Sequence, residues 1–284
     1  MRKLLIPMVL VTVAGFGQDS DLARARSLYQ RTKYEQALEL LRNSSDKGVQ
    51  ALLLTGMCQY MIGDFKKASE VLEQAVQVDP GNSEAYLWLG RAYGRRAETA
   101  SFFTAPGLAT KARASFERSV QLNPSDKEAV SDLFEYYLEA PGFLGGGMDK
   151  AQALAERTMN ADPAEYHYRL ALIADRRKQY GDAEEQLRRS VELAPRQVGR
   201  LIELAKFLAK RGQYAQSDAA FLEAEKMAPD STLLMFERAK TYISTGRRLQ
   251  DARLLLQRYL NSPLSPDDPP RGEAEQLLRQ AGSI

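Results

Sequence analysis

Apolar residues fall along this chain in paired amphipathic segments, separated by short polar turns and closed by proline. One phrase recurs: AVQVDPGN around Pro80, SVQLNPSD around Pro124, TMNADPAE around Pro163, SVELAPRQ around Pro195 and AEKMAPDS around Pro229. Twelve residues before each proline stands a small residue: Ala68, Ala112, Ala151, Ala183 and Ser217. A looser copy has Ala252 and Pro263 eleven apart, and an earlier one around Ala37 lacks its proline. Upstream of each small residue lies a second amphipathic segment. Tyr34, Phe65, Tyr180 and Tyr214 stand three positions before it, and Gly63-Asp64, Lys178-Gln179 and Gly212-Gln213 mark turns. The pattern predicts a unit of helix, turn, helix and proline stop. The small residue marks the closest approach of the two helices, where a larger side chain would force them apart.

This unit resembles the tetratricopeptide repeat. The closest copy runs from Gln50 to Asn82, with Gly56, Gly63-Asp64-Phe65, Ala68, Leu72, Ala75, Asp79 and Pro80. The next adds Trp88, Leu89, Gly90 and Tyr93, with the tryptophan shifted by two. The proline spacings are 44, 39, 32, 34 and 34, against a family period of about 34. The resemblance implies an all-α, right-handed superhelical solenoid of antiparallel helix pairs. Its seven repeats would cover 21–48, 49–82, 83–126, 127–163, 164–197, 198–231 and 232–263, with a capping helix over 270–281. Residues 18–284 are then expected to form one solenoid domain.

Two copies are too long. The small residue still precedes its proline by twelve in both, so the surplus belongs between first and second helix, with the second helices starting normally. The inserts fall in RRAETASFFTAPGLATKA and EAPGFLGGGMDKA, on adjacent turns. Phe102, Phe103 and Leu108 stand in one, Phe143 and Leu144 in the other. Two expectations follow: the apolar groups pack into a small satellite core, or they form a partner-binding edge. The glycines Gly145 to Gly147 before Lys150 could be read as a phosphate cradle. That chemistry needs a strand before the loop and a Gly-Lys-Ser/Thr step. Here the step is Gly147-Met148-Asp149-Lys150. A lengthened turn, with Met148 buried between the helices, is the expectation.

The chain begins MRKLLIPMVLVTVAGFGQDSD. Arg2 and Lys3 precede an apolar run from Leu4 to Phe16, and Gly15 and Gly17 occupy the small-residue positions before Gln18. This is the layout of an export signal over 1–17. The run falls short of the roughly 20 residues that span a bilayer, and no transmembrane segment is expected after it. A periplasmic or secreted bacterial protein is the expectation.

Of 39 basic and 37 acidic side chains, Arg2 and Lys3 supply the whole excess. The balanced remainder argues against nucleic-acid binding, which draws its affinity from phosphate contacts. One cysteine, Cys58, permits no intrachain disulfide. The one histidine, His167, lies more than two repeats from Cys58, so a Cys–His pair is not expected. No HExxH, CxxC or GxSxG motif occurs. No catalytic residue, metal or cofactor is expected.

The family resemblance implies that first helices line a concave groove and that the partner is a protein or peptide. Aligned from the prolines, the groove would carry Leu87, Arg91 and Arg95, then Ser131, Glu135 and Glu139, then Tyr168, Leu172, Asp175 and Arg176, then Ile202, Lys206 and Lys210, then Phe236 and Lys240. The charges alternate in blocks that could select a complementary extended peptide. A family clamp for C-terminal carboxylates needs asparagine at groove positions, and none stands there. The alternative reading is a small-ligand or glycan binder using Tyr168, Phe236 and the lysines, and a further one an enzyme accessory subunit.

Overall fold

The structure is a computed structural model and describes residues 18–282, so the export-signal segment lies outside the described residues. Fifteen α-helices account for the described chain, with no strand among the described residues. Seven consecutive pairs are α1 (Gln18–Gln30) with α2 (Tyr34–Asn43), α3 (Val49–Met61) with α4 (Phe65–Val78), α5 (Ser83–Thr99) with α6 (Ala105–Leu122), α7 (Lys127–Glu139) with α8 (Met148–Glu156), α9 (Pro163–Arg176) with α10 (Tyr180–Leu193), α11 (Val198–Lys210) with α12 (Tyr214–Met227), and α13 (Thr232–Ser244) with α14 (Leu249–Asn261). A last helix, α15 (Arg271–Gly282), packs on α14 and α13.

The recurring phrase does two jobs. Its proline follows one helix, and in three of the five copies the polar residue two positions on caps the next, while Gln197 after Pro195 makes no such bond. The Asn82 side chain accepts from the Ala85 N–H, Asp126 from those of Glu128 and Ala129, and Ser231 from that of Leu234. Each such cap satisfies amide groups that a helix start leaves without partners. The fourth copy departs from the expectation. There α8 ends at Glu156, a turn follows, and Pro163 opens α9 beside its cap Asp162 instead of stopping α8. Proline suits that first position because it has no N–H to satisfy.

The small residues lie where the helices touch: Ala37, Ala68, Ala151, Ala183 and Ala252 are fully buried, with Ala112 and Ser217 nearly so. The Ser217 hydroxyl donates to the Ala205 carbonyl on the facing helix at 2.8 Å, which removes the cost of burying it. Core side chains such as Leu72, Phe134, Phe221 and Leu256 fill the space between units. Each contributes about 1.5–3 kcal/mol by leaving water. One apolar cluster runs from Leu53 to Ile173, across four repeats, and another seals the C-terminal end through Ala274 and Ala281 of α15.

The third copy absorbs its surplus differently from the expectation. α5 and α6 are longer than the other paired helices, and only residues 100–104 connect them. α6 starts seven residues before Ala112, whereas the other second helices start three before their small residue. Ala-rich sequence favours helix on both sides, and Pro106 fits the first turn of α6. Met148 is half-buried, and its counterparts Tyr180 and Tyr214 are exposed at the turn edge. Arg211 and Arg247, each from the next repeat, stack on those two tyrosines with 4.0 Å from guanidinium carbon to ring centre.

Candidate interaction surface

The curvature of the stack follows from which helices touch. First helices pack on one another at both ends of the array, α1 with α3, α3 with α5, α11 with α13 and α13 with α15, while no two second helices make a comparable contact. The stack therefore bends toward the first helices, and their outward side chains line its concave face.

Most charges on that face are paired between repeats. Arg91 of α5 binds Asp132 of α7 through Nε at 2.6 Å and Glu128 through Nη2 at 2.9 Å. Arg176 of α9 reaches back to Glu139 of α7 at 3.2 Å, and Lys210 of α11 to Asp175 of α9 at 2.8 Å. Lys206 joins Glu203 on its own helix and Glu237 of α13. Lys240 reaches Glu273 of α15 at 2.8 Å. Arg95 is held by Glu98 and lies over the Phe65 ring. The alternating blocks thus complement the neighbouring repeat. Glu165 joins this ladder between Arg200 of α11 and Arg169, whose side chain is 3% exposed. Glu128, Asp132, Glu165, Arg169, Arg200 and Glu237 were absent from the groove expected from sequence. The signal for them is opposite charge recurring about one repeat apart.

Two carboxylates of the first helices have no ion pair among the described residues: Glu84 at the start of α5, whose pKa burial raises, and Glu135 of α7. Glu135 stays exposed in the groove. The surrounding low-dielectric walls raise its pKa, and the charges of Asp132 and Glu203 add to the rise. Tyr168 of α9 is half-buried beside it. Burial raises its hydroxyl pKa, with further contributions from Glu203 and Glu135. Next to Tyr168 lies a cavity of about 170 Å³, lined by Leu172, Asp175, Glu203, Lys206 and Lys210. Burial alone would lower the Lys206 pKa, but Glu203 and Glu237 outweigh it and hold the ammonium charged.

Phe236 does not line the groove. It is 1% exposed and stacks against Tyr259 of α14 at 5.3 Å between ring centres, sealing the C-terminal core. Leu87 and Ile202 are likewise buried in the stack. These are apolar groups on first-helix positions that neighbouring helices cover. Tyr168, Leu172, Glu135 and the paired charges remain on the concave face.

A sequence model of the tetratricopeptide repeat matches residues 22–68, 62–127, 146–198 and 202–269. The chain belongs to the tetratricopeptide repeat family. The matched stretches pass over 128–145, where α7 and the fourth turn lie. A tetratricopeptide repeat protein from Parabacteroides merdae superposes with a TM-score of 0.59 at 14% identity, over 94% of this chain and all of that one. TTC0263, a tetratricopeptide repeat protein from Thermus thermophilus, does so with 0.52 at 20% identity, over 71% of this chain and 98% of the other. These similarities show the fold. No curated protein matches the sequence.

On the turn edge of this tetratricopeptide array, the third and fourth turns are neighbours. The fourth contains a 3-10 turn at Gly142–Leu144 that rests on α6. Gly145 has φ 85, and a Cβ there would strike the Arg113 guanidinium, while one at Gly146 would strike the Ala140 carbonyl at 1.9 Å. Glycine is required at both by backbone angle and close approach. The turn is tied down by the Tyr136 hydroxyl donating to the Leu144 carbonyl at 2.9 Å and by the Gly147 N–H donating to that of Tyr137 at 2.8 Å. No satellite core forms. Phe102, Phe103 and Phe143 are 86%, 90% and 83% exposed, and the rings of the first two meet edge to face. Leu144 is half-buried. The reason is geometric: the hydrogen-bonded turns point these side chains away from the repeats.

Chemistry elsewhere in the tetratricopeptide array is sparse. Cys58 is buried in the cluster joining the first two repeats, while His167, on α9, bonds Gln186 at 2.6 Å. Among the described residues no group of His, Cys, Asp and Glu is placed to hold a metal, and no helix is long and apolar enough to cross a membrane. A cleft of about 1080 Å³ opens on the outer side between α12 and α14, with Met235 and Leu254 beside the Arg238–Glu225 ion pair.

Proposed function

We propose that the protein is a non-catalytic interaction scaffold that holds an extended, positively charged segment of a partner protein along its concave face, centred on Tyr168. The observation that carries this reading is the break in the ladder. Groove charges on either side are paired within the array, yet Glu135 has no counter-ion and stands beside a half-buried tyrosine. A lysine or arginine of a bound segment would supply the missing charge, beside the Tyr168 ring, one face of which the chain's own Arg200 guanidinium already covers at 4.8 Å. Membership of the tetratricopeptide repeat family supports protein binding as the class of function. The N-terminal layout of Arg2, Lys3 and the Leu4–Phe16 run supports work outside the cytoplasm, in a bacterial envelope. N-terminal sequencing of the protein from its host should then start near Gln18.

The adjoining cavity of about 170 Å³ is small beside the roughly 300–1,000 Å³ of small-molecule sites. This favours a chain laid along the groove over an enclosed ligand. The small-ligand alternative loses Phe236, which is buried; the outer cleft at Leu254 is the place that reading would now require.

Fluorescence anisotropy with arrays of extended peptides tests the proposal. Peptides with lysine or arginine should bind, and Tyr168→Ala should weaken them by roughly tenfold or more. Glu135→Lys should weaken them further in low salt. Equal binding by both variants and the unmodified protein would rule the site out.

A further inference from the structure

We propose that the edge formed by the turns between first and second helices docks on an anionic lipid surface, with Phe102, Phe103 and Phe143 entering the boundary between headgroups and acyl chains. These three are the most exposed large hydrophobic side chains among the described residues; the next, Leu254, is 61% exposed. They stand on two adjacent turns, and the neighbouring turn of the second repeat adds Ile62, 41% exposed.

Their exposure is built in. The Thr104 N–H donates to the Ser101 carbonyl at 3.0 Å beneath Phe102 and Phe103. Lys150 donates to the Gly145 carbonyl at 2.8 Å beside Phe143. These are ordered turns that carry phenyl rings into solvent, where apolar surface is unfavourable unless something covers it.

Charge on the same edge identifies the cover. Lys66, Lys150, Arg177 and Lys178 are exposed there, and none has a carboxylate partner among the described residues. Arg31 and Lys33 extend the series to the first turn. The opposite edge, where one repeat passes to the next, carries both signs, with Asp79, Asp126, Asp162 and Asp230 beside Lys127, Arg157, Arg196 and Lys226. The phenylalanine edge also carries the exposed carboxylates Glu35, Asp149 and Asp182, fewer than its six unpaired cations, so a cationic excess surrounds the rings. An acidic protein would answer the cations but would need a fitted pocket for each ring. An anionic bilayer answers both at once, since its headgroups attract the cations and its interface accepts rings without shape matching. This edge is separate from the groove, so the two readings fail independently.

The test is co-sedimentation of the full chain with vesicles of phosphatidylglycerol and phosphatidylcholine, against phosphatidylcholine alone. The Leu4–Phe16 run is common to every variant, so differences report the edge. The protein should partition to the phosphatidylglycerol vesicles and be released by salt. Replacing all three rings (F102S/F103S/F143S) should weaken partitioning by about tenfold or more. Phe143→Trp should show a blue-shifted emission on those vesicles, which binding through the N-terminal run alone would not produce. If the triple variant does not fold, the charge reversal K66E/R177E/K178E should give the same loss. Unchanged partitioning of the folded triple variant or of the charge reversal, an unshifted Phe143→Trp emission, or an edge that takes only an acidic protein would overturn the proposal.

Discussion

Arg91 and Asp132 sit on first helices of successive repeats, and their side chains meet across the gap with Nε 2.6 Å from Oδ2. α5 and α7 make no close helix–helix contact of the kind that α3 and α5 do, so this bridge is what couples them on the concave face. Both side chains are about four-fifths buried. Replacing Arg91 with Met would leave a buried carboxylate without its counter-ion. A loss of about 2–3 kcal/mol in urea denaturation is expected, of which Arg91→Met/Asp132→Leu should recover more than half. A neutral single substitution would show that the ladder is ornamental.

Two glycines of α5 should respond to alanine with opposite signs. A Cβ at Gly90 would lie 2.6 Å from the Phe116 ring, whereas one at Gly94 would meet nothing within 4 Å. Gly90→Ala should cost about 1–2 kcal/mol, overpacking outweighing helix propensity. Gly94→Ala should gain about 0.5–1 kcal/mol from propensity alone. Thermal melting of the pair checks both.

The groove carboxylate gives a pH signature. Glu135 has a folded pKa above its ordinary value, chiefly through desolvation. It therefore holds its proton more tightly in the folded chain, and ionising it costs stability at every pH above that folded pKa. Glu135→Gln should raise the melting temperature at pH 7, with the gain fading as pH falls into the carboxylate range. A lowered melting temperature at pH 7 would mean that Glu135 has a counter-ion.

Cys58 serves as a built-in reporter. Burial first, and then the Glu35 charge, push its thiol pKa up to about 12, so almost no thiolate exists at neutral pH. Native protein should resist alkylation at pH 8 and react only as the first two repeats open. Rapid labelling of native protein would contradict the packing of that end.

The helix pairs were legible because two local rules, a small residue at the crossing and a proline with a cap, recur together. The groove was legible only in part. Phe236 shares a first-helix register with true groove residues, and the cluster it joins with Leu256, Tyr259 and Ala274 of the following helices buries it. Charges such as Arg200 and Glu165 make sense only when compared one repeat apart, since each looks like ordinary solvated surface within its own helix. The third copy differs from expectation for another reason. Subtracting a fixed period assigns surplus residues to a loop, whereas RRAETA and APGLATKA continue their helices. Apolarity in Phe102, Phe103 and Phe143 suggested burial, but hydrogen bonds of the backbone decide where a turn residue points.

The central claim is that a partner segment lies on the concave face at Tyr168 and Glu135. Site-specific photo-cross-linking in intact host cells tests it most directly, with the probe placed at Glu135 or, on an exposed second-helix position, at Arg189. A discrete adduct of this chain with another protein should form from position 135, disappear with Tyr168→Ala, and not form from position 189. Adducts from position 189 and none from 135 would contradict the account.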